Sequence, residues 1–87
     1  MNDFAEKHPE ARGPLARWYH IMKNGRFTSM SELRKAFASV DAVENLTVFN
    51  IGGNKFRLIA AIHYNRQKVY IRAILTHSEY DEERWKQ

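Results

Sequence analysis

The sequence contains no cysteine, which excludes disulfide bonds and thiolate-bound metal sites. It also contains no long apolar run. The longest mostly apolar stretch, Leu58–Ile62, is far shorter than the roughly 20 residues that cross a bilayer. Residues 1–13 lack the apolar segment of a signal peptide. With 87 residues there is no room for a second core. We therefore predict a cytoplasmic protein with a single domain over residues 1–87.

Two kinds of ligand site also lack their usual sequence patterns. The four histidines do not show the spacing of metal ligands, so we expect no metal site and no cofactor. The neighbouring glycines Gly52-Gly53 form no glycine-rich phosphate loop. They are typical of a tight turn instead.

Acidic residues are missing from one long segment. Residues 45–78 contain no aspartate or glutamate, whereas residues 1–44 and 79–87 contain both signs of charge. A surface of one sign favours a polyanionic partner, most often a nucleic acid. The alternative at this point is a solvated face that only aids solubility. The basic residues of the segment are Lys55, Arg57, Arg66, Lys68 and Arg72.

The first half of the chain shows helical patterns. Phe4–His8 predicts a short helix that ends near Pro9, and Pro14 suits the first turn of a second helix that stops at Asn24-Gly25. Ser29 and Glu32 have the spacing of a capping box that begins a third helix. The apolar positions are Leu15, Trp18, Tyr19 and Met22 in the second helix and Leu33, Ala36 and Phe37 in the third.

The second half predicts strands. Leu46–Ile51, Phe56–Tyr64 and Lys68–Thr76 are rich in β-branched and aromatic residues. Two-residue turns are expected at residues 52–53 and 65–66. We therefore predict an α+β fold, in which helices of the N-terminal half pack on one face of a twisted antiparallel sheet.

These turns define a register and therefore two faces. The face toward the helices would collect Thr47, Phe49, Ile51, Phe56, Leu58, Ala60, Ile62, Val69, Ile71, Ala73 and Leu75. The opposite face would collect Lys55, Arg57, His63, Lys68, Tyr70 and Arg72, with Asn50 beside Lys55 and with Ile59 and Ile74 among them. A shift by one residue would bury Arg57 and Arg72 in the core, at a high cost. The basic residues are therefore expected on one functional surface.

Residues after the last strand supply candidate catalytic side chains at the end of that surface. The same register places His77 near Asn54, at the sheet end that carries Lys55 and Arg57. A histidine can move protons near neutral pH, and the two cations can neutralise a phosphorane. Tyr80 could orient the nucleophile or stack on a base. This set suits RNA cleavage by the ribose 2′-hydroxyl without a metal. The acidic residues Glu79, Asp81, Glu82 and Glu83 are expected in a solvated tail or beside a basic side chain of the site.

Three strings of the sequence together resemble HigB-type toxins of the RelE-like superfamily. They are Val48–Ile59 (VFNIGGNKFRLI), Val69–Arg72 (VYIR) and Thr76–Asp81 (THSEYD), and the segment from His8 to Tyr19 is similar as well. The resemblance covers nearly the whole chain and implies a messenger-RNA interferase. It also implies a HigA-type helix-turn-helix antitoxin as partner, and many relatives cut messenger RNA on the translating ribosome. On this basis Arg57, His77 and Tyr80 match active-site positions, and Lys55, Arg72 and Asp81 support them.

The chain departs from that family at its start, because relatives usually begin with a strand before the first helix. We expect the sheet to lack this N-terminal strand and to keep an unpaired edge. Two other functions stay open. The chain could be a non-enzymatic toxin of the same fold, similar to the gyrase-inhibiting ParE branch. It could also be a basic RNA- or DNA-binding module, with Tyr70 and Tyr80 as stacking platforms.

Overall fold

Short helices come first along the chain and an antiparallel meander follows. The computed structural model describes residues 2–53 and 55–82. The helices in this part are α1 (Asn2–Lys7), α2 (Arg12–Asn24), α3 (Met30–Ala36) and α4 (His77–Asp81), with 3₁₀ turns at Pro9–Ala11 and Tyr64–Arg66. The strands are β1 (Asp41–Val43), β2 (Leu46–Ile51), β3 (Phe56–His63) and β4 (Lys68–Thr76), in the spatial order β1-β2-β3-β4. The predicted α+β class is confirmed.

The helix ends follow the local sequence. α1 stops before Pro9, as expected from the proline. α2 ends at Asn24, and the extended Gly25 donates its N–H to the carbonyl of Ile21 at 2.9 Å. At the start of α3 the Ser29 side chain accepts from the N–H of Glu32. Only half of the expected capping box forms, because the Glu32 carboxylate binds the hydroxyl and the N–H of Thr28 instead. These hydrogen bonds, the hydroxyl first, lower the pKa of Glu32.

The three predicted strands are present, and a fourth was not foreseen. β1 pairs with β2 through a two-residue turn at 44–45, with Val43 opposite Leu46. Glu44 adopts a left-handed φ of 57° there. The sequence does not predict this hairpin, because the strand has three residues and because glutamate is not a residue that favours positive φ.

The β2–β3 turn is longer than predicted. Ile51 lies opposite Phe56, so the turn has four residues, 52–55, rather than two. Gly52 and Gly53 adopt φ values of 63° and 71°, a region that glycine enters without strain. The pairing moves by an even number of residues, so the side chains keep their predicted faces. Asn50 lies opposite Arg57, and its predicted position beside Lys55 is wrong.

The β3–β4 pairing starts in the predicted register, with His63 opposite Lys68, but its turn spans residues 64–67 and not only 65–66. A bulge then changes the register: Ala60 lies opposite Ile71, whereas Ile59 lies opposite Ala73. One extra residue moves all later β4 side chains to the other face. Ile74 therefore packs against the core, and the predicted core-facing positions of Ala73 and Leu75 are wrong.

The core lies between the sheet and the helices. Phe49, Leu58 and Leu33 are fully buried, and Trp18 meets Phe49 edge to face with ring centroids 5.5 Å apart. The predicted apolar stripes are correct for the largest residues but not throughout. Tyr19 is 52% exposed and Ile71 is 40% exposed, and Ala36 is exposed at the end of α3.

The borders of the sheet are β1 and β4. Within residues 2–53 and 55–82, α1 is the first element and the outer edge of β4 has no strand partner. No helix in the same ranges is long and apolar enough to cross a membrane.

Candidate active site

Arg57 is the centre of the candidate site. Its side chain lies on the sheet face opposite the helical core, and the residue is 9% exposed. Its Nη1 donates to the carbonyl of Phe56 at 3.1 Å, and its Cζ lies 5.5 Å from the centroid of the Tyr80 ring. Within the described residues no carboxylate pairs with Arg57. The site therefore holds a nearly buried cation that is positioned by an aromatic ring and a carbonyl, and whose charge is not neutralised by these groups.

A capping box holds α4, and with it Tyr80, against the end of the sheet. The Thr76 hydroxyl accepts from the N–H of Glu79 at 3.2 Å, and the Glu79 carboxylate accepts from the Thr76 N–H at 3.0 Å. The N–H of His77 also donates to the carbonyl of Lys55 at 3.0 Å. The hydrogen bond from the Thr76 N–H lowers the pKa of Glu79. α4 is thus anchored at its first residues, despite its length of five residues.

His77 and Asp81 form a pair one turn apart on α4. The Nδ1 atom of His77 lies 3.0 Å from Oδ2 of Asp81, and both side chains are about half exposed, at 49% and 61%. A carboxylate on Nδ1 selects the tautomer with hydrogen on that nitrogen and leaves Nε2 free to exchange a proton with a substrate. The predicted support role of Asp81 beside a basic side chain has a geometric basis in this pair.

Lys55 and Asn50 lie at the same end of the sheet. Lys55 is exposed in the β2–β3 turn, where its carbonyl binds the His77 N–H. Asn50 is half-buried and lies opposite Arg57. The expected neighbour of His77, Asn54, lies outside the described residues; Lys55 takes that place in the ladder because of the β4 bulge. The structure therefore places Arg57, Tyr80, His77, Asp81, Lys55 and Asn50 at one end of the sheet.

The remaining predicted residues lie farther along β3 and β4 and do not join this cluster. His63 and Tyr70 stack edge to face with ring centroids 5.4 Å apart, and Lys68 lies opposite His63. Arg72 occupies the bulge of β4 and is exposed. Together these four residues form an exposed basic and aromatic strip that leads from the middle of the sheet to the β3–β4 turn.

The capping box of Thr76 and Glu79 was not among the sequence predictions. Their spacing is that of a capping box, the same pattern that was recognised at Ser29 and Glu32. Glu79 was instead assigned to the acidic tail. Asp81 of that cluster pairs with His77, and Glu83 lies outside the described residues. In the described ranges no group of three or more histidine, aspartate or glutamate side chains is placed to hold a metal ion.

Comparisons with known proteins identify the family of this chain. Residues 11–83 match the family model of HigB toxins, described as the RelE-like toxic component of a toxin–antitoxin system. The chain is 37% identical over 84 residues to the mRNA interferase toxin HigB of Escherichia coli (strain K12), covering 93% of this chain and 81% of the relative. The mRNA interferase HigB of Shigella flexneri shows the same identity and coverage. That of Escherichia coli O6:H1 (strain CFT073) is 31% identical, with 93% and 82% covered. The resemblance inferred from the sequence is confirmed, and the chain belongs to the HigB family of RelE-like toxins.

Proposed function

We propose that this chain is a toxin that cleaves messenger RNA, and that the cluster around Arg57 is its active site. The observation that carries the proposal is a nearly buried guanidinium over the Tyr80 ring, at the sheet end where α4 carries the His77–Asp81 pair. Relatives with 31–37% identity are named mRNA interferases, which supports RNA as the substrate.

The reaction is an internal transfer at phosphorus. The ribose 2′-hydroxyl loses a proton and attacks the adjacent phosphorus, and the bond to the 5′-oxygen of the next nucleotide breaks as that oxygen gains a proton. The products are a 2′,3′-cyclic phosphate and a 5′-hydroxyl. The step needs a group that accepts a proton, a group that donates one and a cation for the phosphorane, but it needs no redox partner and no metal ion.

Arg57 supplies the cation in this mechanism. Its guanidinium can donate two parallel hydrogen bonds to phosphate oxygens. Because the residue is largely excluded from water, its attraction for the growing negative charge is stronger than that of a solvated side chain. Lys55 adds a second positive charge from the turn. The cation–π contact with Tyr80 fixes the guanidinium plane before the substrate arrives.

His77 exchanges the proton. Asp81 holds the hydrogen on Nδ1, so Nε2 is the atom that meets the substrate, either as base at the 2′-hydroxyl or as acid at the leaving oxygen. The Tyr80 ring lies against the Arg57 guanidinium, and its hydroxyl orients the nucleophile or the phosphate. Asp81 acts through His77 and is a positioning residue.

The exposed strip beyond the cluster binds the flanking RNA. Lys68 and Arg72 contact phosphates, and the Tyr70 ring, which is 50% exposed, stacks on a base together with its neighbour His63. Asn50, which is half-buried on β2 opposite Arg57, helps to position the phosphate. Such a strip binds without strict sequence specificity, which suits a toxin that acts on many messages.

The partners follow from the family. A toxin of a toxin–antitoxin system has an antitoxin, and we propose a HigA-type helix-turn-helix protein. We also propose that the chain acts in the cytoplasm, on messenger RNA held by the translating ribosome. A basic segment without any acidic residue, 45–78, is suited to ribosomal RNA as well as to the message.

The test is induction of the wild type and of His77→Ala, with growth curves and primer-extension mapping of a reporter message. His20→Ala is the matched control, because His20 is exposed on α2 and outside the cluster. We expect cuts within translated codons with the wild type and with His20→Ala, and none with His77→Ala. Cuts that also require translation would support the ribosome as partner. Growth arrest without any cut would contradict the nuclease and favour a ParE-like action on gyrase. Salt-sensitive RNA binding with intact RNA would favour a binding module.

A further inference from the structure

The N-terminal helix α1 packs against Phe56 through two rings. Phe4 meets Phe56 edge to face with ring centroids 5.3 Å apart, and the ring of His8, which follows α1, lies 5.4 Å from the same ring. Phe4 and His8 also contact each other, with ring centroids 4.7 Å apart. Phe56 is 4% exposed, whereas Phe4 and His8 are half-buried. The three rings form one aromatic cluster between α1 and the start of β3.

Phe56 lies at the point of β3 where the candidate active site is held. Its carbonyl accepts the Nη1 hydrogen of Arg57 at 3.1 Å. The carbonyl of the preceding residue, Lys55, accepts the N–H of His77 at 3.0 Å, and Phe56 itself lies opposite Thr76, the N-cap of α4. A shift of the backbone at Phe56 would therefore move the guanidinium and α4 together.

α1 also borders α4 across a depression of about 270 Å³. The residues that line this depression are Phe4, Lys7, His8, Ile74 and Glu79. Glu79 is the carboxylate of the capping box that begins α4. The hydrogen bond from the Thr76 N–H is the main cause of the lowered pKa of Glu79, and the nearby His8 and Lys7 lower it further. α1 thus adjoins the base of the site in two places, at Phe56 and at Glu79.

We propose that Phe4 and His8 are positioning residues of the active site, whose rings fix Phe56, while Phe56 in turn fixes Arg57 and the first turn of α4. The proposal rests on the proposed function, because it assigns these rings a role in the same reaction. α1 has six residues, and an isolated helix of this length is not stable in water, so its position depends on such packing. Displacement of catalytic groups by about 1 Å can lower a rate by about 10²-fold.

The first test trims the ring of Phe4 and compares it with a matched ring elsewhere. Phe37 is also half-buried against the core and meets Phe49 edge to face, with ring centroids 5.1 Å apart, but that contact lies on β2. Phe4→Leu and Phe37→Leu should therefore lose similar stability in urea denaturation. With a reporter message in a purified translation system, we expect kcat for cleavage to fall about tenfold in Phe4→Leu and to stay at the wild-type value in Phe37→Leu. KM should change less than kcat, because the strip that binds the flanking RNA does not move.

The second test separates the ring of His8 from its ionisable nitrogens. His8→Phe and His8→Leu both remove the Nδ1 atom, which lies 3.7 Å from the Glu10 carboxylate, and they differ in the ring. We expect His8→Phe to keep the wild-type kcat and His8→Leu to behave like Phe4→Leu. Equal losses of kcat in the two variants would show that the imidazole and not the aromatic packing is needed, and would overturn the proposed role of this ring.

A third measurement does not depend on RNA cleavage. The N–H of His77 donates to the carbonyl of Lys55, so this hydrogen bond protects it from exchange with solvent. A helix of five residues at the end of the sheet opens locally and not only with the whole core. By NMR we expect this amide to exchange about tenfold faster in Phe4→Leu than in the wild type, and at the wild-type rate in Phe37→Leu.

The outcomes separate this proposal from the proposed function. Equal kcat values and equal exchange rates of the His77 amide in Phe4→Leu and Phe37→Leu would overturn the positioning role and leave Phe4 as a packing residue only. A wild type that cuts no RNA would refute the proposed function instead. The exchange rates would still decide whether α1 holds α4 in place.

Discussion

Replacement of Arg57 by methionine should separate catalysis from stability. Arg57 is nearly buried, at 9% exposure, and within the described residues it has no carboxylate partner. Such a residue is costly for the fold, and the proposed function assigns it a role in catalysis instead. Methionine has a similar unbranched length and keeps a sulfur contact with the Tyr80 ring, so the variant removes the charge while filling the same space.

The magnitude follows from the contacts of Arg57. Burying a cation costs several kcal/mol, on the order of 3–5 after relaxation. The hydrogen bond to the Phe56 carbonyl contributes about 1.5–3 kcal/mol because the donor is charged. The contact with the Tyr80 ring contributes about 0.5–2 kcal/mol. These contributions nearly cancel, so Arg57→Met should change the free energy of unfolding by less than about 1.5 kcal/mol.

The effect on catalysis should be much larger. Loss of one preorganised group that stabilises transition-state charge lowers the rate by about 10²–10³-fold. The assay is urea denaturation followed by circular dichroism, together with initial rates of messenger-RNA cleavage in a purified translation system. Arg34→Met is the control, because Arg34 is exposed on α3 and both quantities should stay at the wild-type value. The reasoning fails if Arg57→Met is destabilised by more than about 2 kcal/mol while the folded protein still cuts within tenfold of the wild-type rate.

Three further predictions concern α4 and the core. Asp81→Asn should lower cleavage about tenfold through His77, and adding it to His77→Ala should cause no further loss; additive losses in this double-mutant cycle would show that Asp81 acts independently. Leu58→Ala should destabilise the chain by about 2–5 kcal/mol, because Leu58 is fully buried, and urea denaturation measures this loss. Glu79 has a lowered pKa, so its contribution to stability is present above the ordinary carboxylate value and is lost as the pH falls through the folded value. The melting temperature of the wild type should therefore fall more in this acidic range than that of Glu79→Gln. Identical pH profiles of the two melting temperatures would contradict a role for the hydrogen bond with Thr76.

Much of the secondary structure could be predicted because its signals are local. Pro9 and Gly25 mark helix ends through backbone geometry that does not depend on the rest of the fold. β2 and β4 have the predicted bounds, and β3 ends one residue earlier than predicted, at His63. β1 escaped prediction because three residues carry too little pattern.

The sequence predicts the candidate site correctly where the alternation of side chains along a strand is enough to assign them to one face of the sheet. Asn50 and Arg57 lie on the same face, as predicted, although the predicted turn was too short. The observed β2–β3 pairing differs from the predicted pairing by an even number of residues, which leaves every side chain on its predicted face. The predicted position of Leu75 on the core face is wrong, because a single extra residue in β4 moves its side chain to the opposite face. Nothing local distinguishes a bulge at Arg72 from a regular strand.

The sequence by itself determined the ends of α1 and α2, the bounds of β2 and β4, the basic character of residues 45–78 and the family to which the chain belongs, because turn residues, periodicity, charge and motif strings are properties of the chain alone. The tertiary structure decided which residues meet. It places Arg57 over Tyr80 and binds the carbonyl of Lys55 to the N–H of His77. Both contacts join residues that are distant in sequence, and they depend on one bulge and one four-residue turn. Whether the bulge and the turn are favourable depends on the packing of the whole core and not on the local sequence.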